Sequence, residues 1–243
     1  MLILLGIASF FAGIFNTMAA GGSFMMLPLL IFAGLPATVA NGTNRIALLT
    51  QNTMSVYGFH QKGLFDLKTN VRLMIPALLG SIGGALLSVR IPDTIFQKVI
   101  SVLMLIFVVL SVYRDRRSSN GEPAAKPGPV ATFVLFFFVG VYGGFIQAGV
   151  GLFLIGSIRF ATGLDLVRTN SVKVFIIASY TIVAIIIFAL NGKIDWPIAA
   201  VVAVTQGAGG YVGTHIAIKG GEKLVKKLIF VALFLMAVTL FLK

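Results

Sequence analysis

The sequence predicts an all-α polytopic membrane protein. It is built from two inverted-topology repeats of about five helical segments each, with broken or re-entrant helices near the midplane. Three observations predict this: long apolar runs almost free of charge, an internal repeat, and basic loops that change sides between the halves. Of the 243 residues, 58% are hydrophobic and only 11% charged, and the mean hydropathy is +1.02. A soluble domain is about 25% charged. Runs such as 99–113, 130–158, 174–190 and 228–242 hold almost nothing ionisable. Roughly 18 or more apolar residues read as a membrane span, and a helix satisfies its own backbone in lipid.

The repeat has a shift of 129 residues, the distance from Gly34 to Gly163. Under that shift Gly22 falls on Gly151, Asn41 on Asn170, Asp66 on Asp195, Gly80 and Gly84 on Gly209 and Gly213, and Lys98 on Lys227, with no gap. Such self-similarity in an apolar chain suggests a transporter of two halves with its site where they meet. The halves are expected at 1–113 and 130–243, joined by a linker at 114–129.

Each half reads as five segments. A first apolar helix (about 2–20 and 130–148) leads into a short Gly-bounded piece (about 22–33 and 151–162). Three longer helices follow (about 39–59, 73–90 and 95–113; then 167–190, 198–218 and 224–242). The start, MLILLGIASFFAG, has no basic region before its apolar stretch and is read as the first span. Because the short second piece is a half-helix or re-entrant, a conventional span count falls between eight and ten.

The linker RDRRSSNGEPAAKPGP carries Arg114, Arg116, Arg117 and Lys126, which makes it cytoplasmic by the positive-inside rule. Tracing outwards places 13 Lys/Arg inside and 4 outside, with both termini outside. Arg45 and Lys173 alone fall within helices. The net charge of +12 therefore faces anionic lipid and implies no nucleic-acid partner. The chain has no cysteine, so there is no disulfide or thiolate metal site, and no cofactor or metal is expected. Gly80-x-x-x-Gly84, Gly140-x-x-x-Gly144 and Gly209-x-x-x-Gly213 read as helix packing within one protomer, ahead of a homodimer or sliding surface.

Polar groups gather where a membrane helix should avoid them. Asn16, Gly21 and Gly22 lie at the break after the first helix; Gln147, Gly149 and Gly151 lie at the equivalent break. Breaks there free backbone N–H groups, and a helix starting there points a positive dipole end into the site. Asn41, Asn44 and Arg45 share one helix face by their i, i+3, i+4 spacing, and Asn170 and Lys173 repeat it. An ionised group within a span costs at least about 2.5–3.5 kcal/mol, so it faces a partner, water or a substrate. All seven acids fall in loops or at helix ends. Two cations without buried counter-ions point to an anionic substrate, against the alternatives of snorkelling to the headgroups or capping nearby carbonyls. His60 and His215, near cytoplasmic helix ends, are candidate proton-handling groups. Gln51, Asn52, Thr205 and Gln206 read as interhelical hydrogen bonds before ligands. No Ser/His/acid set, zinc motif or P-loop is present, so no enzyme is expected.

The segments GIFNTMAAGGSFMMLPLLIFAGLPATVANGTNRIALL, GVYGGFIQAGVGLFLIG, RTNSVKV and NGKIDWP resemble the sulfite exporter TauE/SafE family over nearly the whole chain. One departure is AAGGSF, where many members have a fuller glycine run. The resemblance implies an inner-membrane prokaryotic carrier of sulfite, sulfoacetate or another organosulfonate or carboxylate. The expected function is therefore a secondary transporter, working as an exporter by alternating access. Its partners would be a small anion and membrane lipid, with a homodimer as a guess. An anion channel and a non-transporting membrane scaffold are the alternatives.

Overall fold

The computed structural model describes residues 1–19, 22–100, 102 and 127–241. Among them the chain is helical and has no strand. The helices are α1 (Leu2–Ala19), α2 (Gly22–Phe32), α3 (Ala37–Gln61), α4 (Leu67–Arg90), a helical stretch at 93–100 (α5), α6 (Pro129–Phe145), α7 (Val150–Thr162), α8 (Leu166–Leu190) and α9 (Trp196–Phe241). Gly21, residues 103–126 of the last first-half helix and the linker, and residues 242–243 lie outside the described residues.

The short second pieces are present in both halves, as α2 with 11 residues and α7 with 13. At 1.5 Å per residue they span about 16–20 Å, too little to cross a bilayer core of about 30 Å. Among the described residues, α4 and α8 are each long and apolar enough to cross.

Two boundaries differ from the sequence reading. Helix α4 starts at Leu67, because Asp66 accepts from Lys68 N–H (3.1 Å) and Thr69 Oγ1 (2.6 Å) and so caps a turn that looked like loop. The two segments expected at 198–218 and 224–242 form one helix, α9. Gly220 and Gly221 each cost a helix about 1 kcal/mol relative to Ala, but no proline removes an N–H there, so the ladder continues.

Acids sit at helix starts, where the positive dipole end and orphan N–H groups favour them. Asp165 caps α8 through Val167 and Arg168 N–H, and Asp195 accepts from Ile198 N–H at the start of α9. Asp93 does so across the fold, accepting from Thr38 N–H (2.8 Å) and Thr38 Oγ1 (2.7 Å) at the start of α3. Partial burial pushes the Asp93 carboxyl up, but the two Thr38 hydrogen bonds and the Lys193 charge together hold it below its ordinary value of 3.8. A depressed folded value means this stabilisation is full above the unfolded pKa and is lost as pH falls through the folded one. Asp93→Asn should therefore melt below the parent at pH 5–7, with the gap closing as pH is lowered below about 4. A melting series from pH 6 to 3 checks this.

Packing is dominated by pairs that cross the sequence halves. Helix α1 lies along α9, and α4 along α6. Helix α3 contacts both α8 and α9, and α4 contacts α8. Under the 129-residue shift these pairs exchange: α1·α9 maps onto α6·α4, α3·α9 onto α8·α4, and α3·α8 onto itself. Small residues set the approach. A Cβ on Gly80, Gly84, Gly140 or Gly144 would run into the carbonyl of Phe137, Val141, Ala77 or Ser81, so α4 and α6 meet backbone to backbone. Gly209 and Gly213 meet Phe10 and Ile14 of α1 in the same way. The glycine steps thus serve packing within the protomer.

Two of the apolar clusters among the described residues surround the short helices. One gathers Met26, Leu27 and Leu30 of α2 with Ala40 and Ala47 of α3, Phe96 of α5 and Val202 of α9. The other gathers Leu154 and Ile158 of α7 with Ala77 of α4, Phe136 of α6 and Ile176 of α8. Each short helix is enclosed by helices of both halves. The start of α7, at Val150 and Gly151, is thereby buried.

Candidate functional site

Helix α6 ends at Phe145. Gln147 adopts φ 67° and Gly149 φ 73°, and these left-handed residues turn the chain into α7. Gln147 is the one non-glycine with positive φ among the described residues. A left-handed non-glycine costs of order 1–3 kcal/mol and persists where its surroundings hold it. Tyr142 OH donates to Ala148 O at 2.6 Å and braces the turn. The last carbonyls of a helix have no partner within it. Those of α6 are taken by Arg45.

The Arg45 guanidinium donates through Nη1 to Gly143 O (3.2 Å) and Gln147 Oε1 (3.2 Å), and through Nη2 to Gly144 O (2.5 Å) and Phe145 O (3.4 Å). It also lies over the Phe188 ring, with the centroid 4.6 Å away. Asn41 Nδ2 adds a bond to Phe145 O at 2.9 Å and one to Ser88 Oγ at 3.3 Å.

The end of α1 is held in the same way from α8. Lys173 Nζ donates to Asn16 O and Thr17 O, both at 3.0 Å, and Asn170 Nδ2 donates to Met18 O at 3.3 Å. Arg45 and Lys173 are both 0% exposed. An Asn–cation pair on α3 therefore closes the break of the second half, and its counterpart on α8 closes the break of the first.

This corrects one inference from the sequence. Among the described residues neither cation has an acidic partner, yet they are not bare: each sits on the carbonyl end of a helix. That end carries roughly −0.5 of an elementary charge, which leaves a surplus of about +0.5 at each break. Donor capacity also remains. Arg45 Nε has no partner, and two hydrogen bonds leave the third N–H of Lys173 unspent.

The other site residues divide. Asn16 spends its amide N–H on Gln51 Oε1 (2.9 Å), so it contributes its carbonyl to Lys173 and its side chain to a buried network. Gln206 Nε2 also reaches Gln51 Oε1 (3.0 Å), Gln51 Nε2 reaches Thr17 Oγ1 (3.2 Å), and Thr17 Oγ1 pairs with Ser55 Oγ (3.0 Å). Gln51 and Gln206 are thus interhelical bonds, whereas Asn52 and Thr205 bond mainly to their own helices. Gln147 accepts from Arg45 through its Oε1. Asn44 is 2% exposed, and its Oδ1 has no partner.

Gly22 opens α2; Gly149 caps α7 and Gly151 lies in its buried first turn. In that turn Val150 N–H is already spent on Gln147 O and Leu152 N–H on Gly149 O. His60 is exposed, in the last turn of α3, against Phe65 at 5.7 Å. His215 Nδ1 bonds to Tyr211 O at 3.0 Å. Neither histidine joins the two breaks. Phe188 and Ser88 were not picked out from the sequence, because an apolar aromatic and a lone serine carry no signal without the fold. Thr17, between two of the residues singled out, could have been included on its i, i+1 position at the break.

A model of the sulfite exporter TauE/SafE family matches residues 5–240. The chain belongs to the sulfite exporter TauE/SafE family. Its similarity to curated relatives is end to end. It is 24% identical to a probable membrane transporter protein, ORF9, of a Sinorhizobium species, over 99% of this chain and 92% of the relative. It is 23% identical to the probable membrane transporter protein YfcA of Escherichia coli strain K12, over 98% and 90%. A probable membrane transporter protein of Haemophilus influenzae is 22% identical over 97% and 92%. No solved structure matches. This TauE/SafE member is accordingly an integral membrane protein of the transporter type. The apolar residues exposed along its helices, such as Ile3, Leu4, Phe138, Leu190 and Val204, are what a hydrocarbon-facing surface requires.

Proposed function

We propose that this protein is a secondary carrier that exports a small oxyanion by alternating access, such as sulfite, sulfoacetate or another organosulfonate or carboxylate. The halves are 1–113 and 130–243, inverted in topology and joined by a cytoplasmic linker at 114–129, with both termini outside the inner membrane of a prokaryote. The observation that carries the reading is the pair of fully buried cations, each bound to the carbonyl end of a broken helix and each left with surplus positive charge. The exchange of helix contacts under the sequence shift supports a two-fold arrangement of the halves.

The mechanism follows from competition. A carbonyl is a neutral acceptor, whereas an oxyanion meets the cation with a full opposite charge and is the stronger partner. An anion arriving at Lys173 or Arg45 draws the cation from Asn16–Thr17 or Gly143–Phe145. The helix end so released is free to move, and the opposite break stays latched. Asn41, Asn44 and Asn170 line the route with polar groups, and the first turns of α2 and α7 add their positive dipole ends.

An inside-negative potential of 100 mV drives each negative charge outwards with roughly 2.3 kcal/mol. Export therefore needs no coupling ion, and neither His60 nor His215 has to carry a proton.

The test is thermal stability of the detergent-purified protein against sulfite, sulfate, sulfoacetate, acetate, pyruvate and chloride. A ligand of the folded state raises the melting temperature with concentration. One oxyanion should do so and should then move out of proteoliposomes faster as the potential is made more negative inside. Steps of single-channel current would replace the carrier by an anion channel. A protein that no anion stabilises and that passes none would be a scaffold.

A further inference from the structure

The two breaks hold unpaired acceptors as well as spare donors. Asn41 and Asn170 are both 0% exposed, and each spends its Nδ2 on a backbone carbonyl. A carbonyl can only accept, so the amide orientation is fixed by chemistry, and in both residues the atom left over is Oδ1. Neither Oδ1 has a partner, nor has Oδ1 of Asn44. Ser171 Oγ, next to Asn170 and 1% exposed, is likewise unpaired. A buried acceptor without a hydrogen bond costs about 1–3 kcal/mol, and such orphans are uncommon in folded proteins. Here they recur at equivalent positions of the two halves, within one turn of Arg45 and Lys173. A simple oxyanion offers acceptors only. It would satisfy the cations and accept from the Ser171 hydroxyl, but it would leave the three Asn oxygens as they are.

We infer that the ligand of this site carries a hydrogen-bond donor beside its negative charge. Its class is a hydroxylated or amino-substituted small acid, or an oxyanion that binds with one proton still on oxygen. The cation takes the anionic end, and an Asn Oδ1 takes the donor. Discrimination arises because a ligand lacking the donor leaves a buried acceptor unpaired. A site that hydrogen-bonds a substrate hydroxyl rejects the analogue without it far more strongly than an apolar pocket rejects a missing methylene. The inference rests on the anion-site reading above.

Matched pairs test it. Melting shifts and competition binding are measured for acetate against hydroxyacetate, and for ethanesulfonate against 2-hydroxyethanesulfonate, at equal charge. The hydroxylated member of each pair should bind about 10-fold tighter or more, from the cost of one unpaired buried acceptor. Asn44→Ala removes an oxygen that holds no other group, so it should shrink the ratio of affinities between the hydroxylated and the plain member of each pair. Should that variant fail to fold, the pairs measured on the parent protein still decide. Equal affinities within both pairs, with binding lost in Lys173→Met, would overturn the donor requirement and keep the anion site. No binding by either member of either pair would overturn both.

Discussion

Lys173→Met is expected to abolish anion flux in proteoliposomes while moving the melting temperature by only about 5 °C or less. Two opposing terms set the stability side. Removing the ammonium leaves Asn16 O and Thr17 O without that partner, at about 1–3 kcal/mol for each buried group left unpaired. It also removes a fully buried charge that has no acid beside it, whose effective desolvation penalty is several kcal/mol. Methionine fills nearly the same volume, so no large cavity opens. The net is small, and about 1 kcal/mol shifts a chain of this size by roughly 2–4 °C. Nothing offsets the loss of charge for an anion. Flux and melting temperature falling together would instead make Lys173 a structural cap and nothing more.

Arg45 sharpens the comparison. Its planar fork serves four acceptors around the end of α6, and a lysine offers only three donors from one nitrogen. Charge is conserved in Arg45→Lys, but the break it closes is held less well.

Much of this was legible in the sequence, for identifiable reasons. The broken helices showed because Gly21-Gly22 and Gly149-Val150-Gly151 fall at one position of a repeat, and recurrence raises a weak glycine signal above chance. The face Asn41, Asn44, Arg45 showed because helical spacing needs no tertiary knowledge. What the cations bind did not show. A helix end is an acceptor only once the chain folds, and its charge belongs to no residue type. Residue types alone offer the two cations no negative partner in the spans, and so point to the substrate instead. The continuity of α9 through Gly220-Gly221 was equally hidden, since glycine permits both a break and a helix.

The swapped pairing of α1 with α9 and α4 with α6 was half visible. The glycine steps announced close packing but could not name the partner. That pairing bears on the site because the α6 carbonyls that Arg45 grips lie one turn from the glycine contacts.

Gly83 and Gly84 turn that proximity into a measurement. They are adjacent in α4, so alanine has the same helix propensity at both and stabilises a helix by about 1 kcal/mol relative to glycine. A Cβ at Gly83 meets nothing within 4 Å. At Gly84 it runs into the Val141 carbonyl and comes within 2.8 Å of Phe145 N. Both are backbone, and backbone cannot rotate aside as a side chain can. Helix α6 must move as a unit, and forcing extra atoms into a packed interface costs typically about 1–3 kcal/mol. Gly83→Ala should therefore melt at or slightly above the parent protein, and Gly84→Ala below it by up to about 8 °C, the clash net of the propensity gain. The displaced element ends in the carbonyls of Gly143, Gly144 and Phe145, so Gly84→Ala should also slow flux, although residue 84 touches neither cation. Flux lost in Gly84→Ala and retained in Gly83→Ala would tie transport to the seating of α6 against α4. Equal behaviour of the two variants would mean that α6 is not held by this contact, and that Arg45 alone positions the break.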